Sequence, residues 1–286
     1  MAHTALTKSE KATLAARRTG CYIALVLISF LCLFFFYVLV INSTRTHFEI
    51  QKGFSLMPGK SIITNFRNVL TDANIPVISG IRNSLLVSAC SAALSVYFSA
   101  LTAYGIYAYN FKFKKAAFAL ILLIMTMPTQ VSALGFLQLI TKMGLKNSFV
   151  PLILPSIAAP TVFFFMKRYL DASLPMEIVE AARIDGASEA KTFISIVLPM
   201  VKPGIGALAI FTFINSWNDY FMQLIMLSST SNLTISLGIA KLQAENSTDF
   251  GLIMAGAALA AVPIIIIFLI FQKYFTKGIA MGAVKG

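Results

Sequence analysis

Six long apolar stretches decide which solvent this chain folds in. They run from Cys21 to Ile41, and from about Ser84 to Tyr107, Ala116 to Ile140, Phe149 to Met166, Gly204 to Leu227 and Gly251 to Phe271. At ~1.5 Å of rise per residue the first alone reaches about 31 Å, the thickness of a bilayer's hydrocarbon core. Charged residues make up 12% of the 286 and apolar residues 58%; a soluble domain carries roughly twice that charged fraction. The expected fold is therefore all-α and integral to a membrane, with six transmembrane helices. Lys8, Lys11, Arg17 and Arg18 precede the first stretch as in a secretion signal. That stretch is about twice a signal core, however, and no small-residue cleavage site ends it cleanly, so it reads as the first membrane helix.

The 23 Lys and Arg residues fall unevenly on the connecting segments. Fifteen lie on the side that holds both termini, and eight, such as Arg45, Lys60 and Lys146, on the other. Basic residues are retained on the cytoplasmic face, so the N- and C-termini are both expected there. The net charge of +12 is explained in this way, and no nucleic-acid partner is expected.

Several chemistries are absent from the pattern. Cys21, Cys32 and Cys90 form no C-x-x-C pair, and His3 and His47 have no ligand at metal-binding spacing, so no metal is expected. No nucleophile–base constellation or paired catalytic carboxylates occur, and no catalytic residue is expected. Gly53 to Ser61, GFSLMPGKS, imitates a phosphate-binding loop. Its glycines are one residue too far apart, Pro58 removes a backbone donor, and no strand precedes it.

The apolar stretches carry polar and helix-breaking marks. Ser95, Ser99 and Ala103 recur at four-residue spacing in the second, which lets another helix approach closely. Pro128 in the third, and Pro155 and Pro160 in the fourth, are expected to kink their helices. Asp219 in the fifth is an acid at membrane depth, a costly placement. With Asn215, Trp217 and Asn218 it can line a solute path. It can also make an interhelical hydrogen bond or sit near the outer interface.

Residues 171–199, DASLPMEIVEAARIDGASEAKTFISIVLP, are too polar to span and hold five of the eleven acids. They read as helix, turn, helix. Ser173 is placed to cap the first helix, Pro175 to enter its first turn, and Glu177 to meet its dipole. Gly186 suits the turn, Ser188 caps the second helix, and Leu198-Pro199 ends it. By residue type alone the segment could be a solvated surface linker or a docking element.

Glu180-Ala181-Ala182, three residues, Gly186, nine residues, then Ile196-x-Leu198-Pro199 resembles the EAA signature of ABC importer permeases. The wider chain is similar to the carbohydrate branch, near the smaller permease of maltose-type oligosaccharide importers. That likeness includes Pro58, Asn65 and Phe66, then Asn83-Ser84-Leu85, Ser216-Trp217-Asn218-Asp219-Tyr220, and the tail Gly278 to Gly286. The resemblance implies a type I ABC importer permease fold in a bacterial plasma (inner) membrane. Its parts would be a cytoplasmic segment 1–20, a six-helix domain 21–275 that includes the coupling loop 171–199, and a cytoplasmic tail 276–286. Glu180, Ala181, Ala182, Asp185, Gly186, Ala187, Ile196, Leu198 and Pro199 would couple to the ATPase. Val284, Lys285 and Gly286 would touch it through the tail. Ser228 to Phe250 would form a loop that reaches a binding protein, or a plain capping loop.

The implied partners are a second homologous permease, two ATPase subunits, and an extracellular or periplasmic solute-binding protein. ATP and magnesium would be held by the ATPase subunits, and this chain would bind no cofactor. A permease for glycerol phosphate or another polar solute would share the same coupling loop. A secondary transporter is the rival of another class; it calls for intramembrane ionisable residues or repeated broken helices, and Asp219 is the one candidate.

Overall fold

A computed structural model describes residues 8–72, 76–245 and 249–283, and every regular element among them is helical. In chain order these are α1 (Lys8–Ser43), α2 (His47–Gln51), α3 (Ile62–Thr71), α4 (Val77–Ala108), α5 (Lys114–Met125), α6 (Thr129–Lys142), α7 (Val150–Ile153), α8 (Pro160–Ser173), α9 (Met176–Ile184), α10 (Glu189–Thr192), α11 (Leu198–Met200), α12 (Lys202–Asn218), α13 (Phe221–Met226), α14 (Ile235–Glu245) and α15 (Phe250–Ala283). A 3-10 turn, Leu154–Ile157, follows α7, and a π-helical turn, Phe193–Val197, joins α10 to α11. Among the described residues four helical segments are long and apolar enough to cross a membrane, and the number rises to six if each of two bent pairs is one span. The chain divides into two compact units.

The first unit takes in described residues 8–68 and 249–258. Thirteen large apolar side chains of α1 between Tyr22 and Val40 are exposed. At about 2 kcal/mol each, leaving them in water costs ~25 kcal/mol, more than the roughly 5–15 kcal/mol that holds a folded protein together. This helix therefore requires lipid or protein around it. Lys8 already lies in α1, so the expected segment 1–20 is helical from that residue on. The chain after α1 folds back on the helix end. Thr44 Oγ1 accepts from the Gly59 amide at 2.8 Å, and Asn65 Nδ2 donates to Ser43 O and Arg45 O at 2.9 Å each. A Cβ on Gly59 would lie 2.5 Å from Thr44 O. The glycine of the false phosphate loop thus serves close backbone approach.

The second unit takes in described residues 69–72, 76–245 and 259–283, and α4 is its axis. Ser84, Ser88, Ser91, Ser95, Ser99 and Ala103 are buried along one side of α4, which packs on α8 and α12. The small-residue spacing therefore serves helices of this chain. Gly204 of α12 lies where a Cβ would meet the Tyr169 ring at 2.7 Å. Phe163, Met166, Leu170, Val179, Phe193, Val197 and Val201 close the core.

Several helix boundaries differ from the sequence expectation. Pro128 does more than kink the third stretch: α5 and α6 meet at 97°. Thr126 and Met127 close a last turn onto Leu123 and Ile124, and Pro128, with ψ 125°, restarts the chain in extended form. The fourth stretch breaks near Ala158 and Ala159, restarts at Pro160, and runs on to Ser173 instead of Met166. The fifth leaves the helix at Asp219, before α13.

Candidate functional site

The hairpin between α8 and α12 is built from its core face outward. Val179 and Ala182 of α9 are buried. The 3.6-residue repeat then places Glu177, Glu180, Ala181 and Ile184 together on the opposite, exposed face. Ile184 is 86% exposed, and covering a side chain of that size is worth about 1.5–3 kcal/mol. Asp185 and Gly186 follow, also exposed, and Gly186 has φ +73°. A side chain there would sit in the left-handed region that glycine tolerates at little cost. The two signature alanines are thus divided: Ala181 faces out and Ala182 faces the core. Ile184 was missed as a surface group because the spacing left its direction open.

Ser188 caps the second arm as expected, accepting from the Lys191 amide at 3.3 Å. Ser173 does not cap the first. It closes α8, and its hydroxyl donates to Tyr169 O at 2.7 Å, while α9 starts at Pro175 without a side-chain cap. Pro199 does not end the second arm. Its ring nitrogen has no hydrogen for an upstream carbonyl, and the Leu198 amide reaches back five residues to Phe193 O, which makes the π turn. The joint falls at Val201, where the arm from Glu189 to Met200 meets α12 at 78°. Ala187, Ile196 and Leu198 are half-buried and Pro199 is exposed.

Five further residues tie the hairpin to the end of α4, and sequence spacing hid them. Arg183 Nε donates to Glu189 Oε1 at 2.9 Å across the Gly186 turn. The guanidinium lies 5.2 Å from the centre of the Tyr109 ring. The Tyr109 hydroxyl donates to Glu189 Oε2, and the Tyr104 hydroxyl donates to the same oxygen at 3.3 Å. Hydrogen bonds from Tyr109 and Arg183 hold the Glu189 carboxyl below the usual carboxylate range. Burial, followed by the contact with Glu189, pushes the Tyr109 hydroxyl up. Tyr107 holds the other arm, donating to Leu174 O at 2.5 Å. Tyr104 and Tyr109 are 85 and 80 residues from Glu189, so only folding shows the cluster.

At the other end of α12 the four candidate path residues separate. Asn215 and Asn218 are exposed one turn apart. Trp217 is 1% exposed and stacks on Phe213 with ring centres 5.7 Å apart, so it faces the core and not the exposed side that bears the two asparagines. Asp219 is half-buried and its Oδ1 accepts from the Met222 amide at 3.2 Å. The chain beyond is clamped from three positions. Asn83 Nδ2 donates to Ser231 O at 3.0 Å and Leu233 O at 2.9 Å, and Ser84 Oγ accepts from the Ile235 amide at 2.9 Å. Asn147, at φ +61°, accepts on Oδ1 from the amides of Ser228 and Ser229 at 3.1 and 2.9 Å. Thr234 and Gln223 are buried and bonded to each other. Among the described residues no three His, Cys, Asp or Glu side chains come together as a metal site. Val284, Lys285 and Gly286 lie outside the described residues.

A family model described as "Binding-protein-dependent transport system inner membrane component" matches residues 95–281. The arabinooligosaccharides transport system permease protein AraQ of Halalkalibacterium halodurans is 34% identical over 92% of this chain and 95% of its own length. The trehalose/maltose transport system permease protein MalG of Thermococcus litoralis is 30% identical, again over 92% of this chain and 95% of its own. A chain of a bacterial ABC transporter involved in import of the acidic polysaccharide alginate superposes with a TM-score of 0.77 at 17% identity. That superposition covers 95% of this chain and 99% of the other.

Proposed function

This chain belongs to the binding-protein-dependent transport system inner membrane components, and we infer that it is a permease subunit of an ATP-driven carbohydrate importer, with an oligosaccharide as the solute. It is a multi-pass protein of the inner membrane. Each bent helix pair counts as one span, which gives six, with both termini on the cytoplasmic side with the excess of Lys and Arg. The chain supplies half of a translocation path and a second, homologous permease the other half. A solute-binding protein delivers substrate outside. Two ATPase subunits hold ATP and magnesium and do the chemistry inside.

One observation carries this reading. The hairpin presents Glu180, Ala181 and Ile184 on the exposed face of α9 while Val179 and Ala182 fix its back to the core. A charge beside a small apolar contact gives register and grip on a protein cleft. Glu180 pairs with a basic group there, Gly186 and Ala187 shape the turn, and Ile196, Leu198 and Pro199 carry the motion toward α12. Closure of the ATPase pair on ATP tilts the helices and opens the path to the other side. Asn215, Asn218 and Asp219 border that path, with Trp217 behind them. Val284, Lys285 and Gly286 are proposed as a second contact with the ATPase.

The test is purification with the co-expressed neighbouring subunits, followed by solute-stimulated ATP hydrolysis in liposomes with a panel of oligosaccharides. Glu180→Lys is expected to abolish ATPase copurification and uptake together. Copurification and unchanged uptake in that variant would remove the coupling assignment, and stimulation by glycerol phosphate in place of sugars would overturn the substrate class.

A further inference from the structure

We propose that Tyr104, Tyr107 and Tyr109 at the end of α4, with the Arg183–Glu189 pair, form a latch that makes the hairpin and α4 move as one body, and so set how much solute is carried per ATP hydrolysed. The proposal rests on the coupling role inferred above. The geometry shows why a latch is needed. Between the exposed face of α9 and the path-bordering end of α12 the chain leaves straight α-helix at three places: the Gly186 turn, the π turn Phe193–Val197, and the 78° joint at Val201. Each of the three breaks the regular hydrogen-bond ladder or turns the helix axis, so no single rod carries a thrust through them. A push delivered at Glu180 and Ile184 would be absorbed there if the chain were the only link.

The tyrosines provide a second link that bypasses all three places. Tyr107 grips the entry arm at Leu174 O. Tyr104 and Tyr109 grip the exit arm at Glu189, and Arg183 spans the turn from one arm to the other. The Tyr104 ring also lies 5.5 Å from that of Phe193, the first residue of the π turn. All three tyrosines sit within six residues at or just beyond the end of α4. That helix packs along both α8 and α12, so a displacement of the latched hairpin is handed to the helix that bears Asn215 and Asn218. The contacts to Glu189 are charge-assisted, which makes them directional. They are also partly solvated: the Arg183 and Glu189 side chains are 32% and 47% exposed. Exposed pairs add only about 0–1 kcal/mol to stability. The latch therefore acts on coupling far more than on folding.

The experiment uses the complete complex in liposomes and reads solute taken up per ATP hydrolysed, with the Tm of the same preparation. Arg183→Ala and Glu189→Gln are expected to lower that ratio about fivefold or more, the span of ordinary coupling energies. Tyr109→Phe, which keeps the ring and loses the hydroxyl, is expected to lower it less. Tm should stay within about 2 °C, as for loss of an exposed pair. The exchange Arg183→Glu with Glu189→Arg should restore part of the ratio. An unchanged ratio in Arg183→Ala and Glu189→Gln, with Glu180→Ala still defective, would overturn the latch and leave the coupling role standing. Unchanged ratios in all three would overturn both. A fall of ratio and Tm together, without recovery in the exchange, would reduce the cluster to a structural one and overturn the latch as well.

Discussion

The two ends of α4 hold their neighbours by opposite means. At its start, Asn83 and Ser84 grip residues 231–235 through hydrogen bonds to backbone, and the gripping side chains are buried. At its end, Tyr107 donates to a backbone carbonyl, while Tyr109 and the buried Tyr104 grip a carboxylate that is paired with a guanidinium and that water partly reaches. Buried neutral bonds are expensive to break, because each leaves an unsatisfied group in a low dielectric. Solvated ionic bonds can be broken and remade. The first end is thus built to stay closed, and the second to transmit motion while contributing little to stability.

Substitution at the fixed end should show the largest effect. Asn83→Ala strips partners from the carbonyls of Ser231 and Leu233. With each orphaned group costing about 1–3 kcal/mol, a loss of roughly 2–4 kcal/mol is expected. That corresponds to a fall in Tm of about 5–15 °C for a chain of this size, measurable by thermal unfolding in detergent. A fall under about 2 °C would erase the contrast between the two ends.

Asn147 sharpens the same point, because its two tasks can be separated. It takes a left-handed φ of +61° and accepts from two amides. Asn147→Gly keeps the backbone conformation and loses the acceptor; Asn147→Ala loses both. Alanine is expected to cost about 1–2 kcal/mol more than glycine, read as a further drop in Tm. Equal losses would mean that the acceptor alone matters.

How much of this was open to reading depends on separation along the chain. The signature from Glu180 to Pro199 is contiguous, and the turn at Gly186 and the cap at Ser188 follow from local chemistry. Ser173 misled because α8 runs on through it and its hydroxyl found the Tyr169 carbonyl one turn back. Trp217 is a candidate path-lining residue by type, yet helix phase turns it onto Phe213. The clamps were illegible for a different reason. Asn83 and Leu233 are 150 residues apart, and no periodicity links an amide side chain to a backbone carbonyl at that distance. Pro128 announced a bend but not its 97°, because the angle depends on what the next helix packs against.

Gly186 tests the movable end through its backbone. Gly186→Ala places a Cβ at φ +73°, where nothing lies within 4 Å, so strain and not collision is the cost. About 1 kcal/mol is expected. Stability should fall by a few degrees at most, while uptake per ATP falls further, since the turn sets how α9 presents Glu180. Loss of stability without loss of coupling would show that the turn only connects.

The smallest effect concerns pH. The Glu189 carboxyl is held below its ordinary range by the Tyr109 hydroxyl first and by Arg183 second. A depressed folded-state value means that the bonds stabilise the fold fully above the unfolded carboxyl's pKa of about 4.3. That contribution disappears as pH falls through the lower, folded value. Wild type and Glu189→Gln should therefore differ by a small, constant Tm from pH 7 down to pH 5, and converge only as pH falls from about 4.3 through the lower, folded value. Convergence already at pH 6 would mean that the carboxylate is not stabilised by these partners. The movable end would then lack the ionic bond that distinguishes it from the amide clamp at the other end of α4.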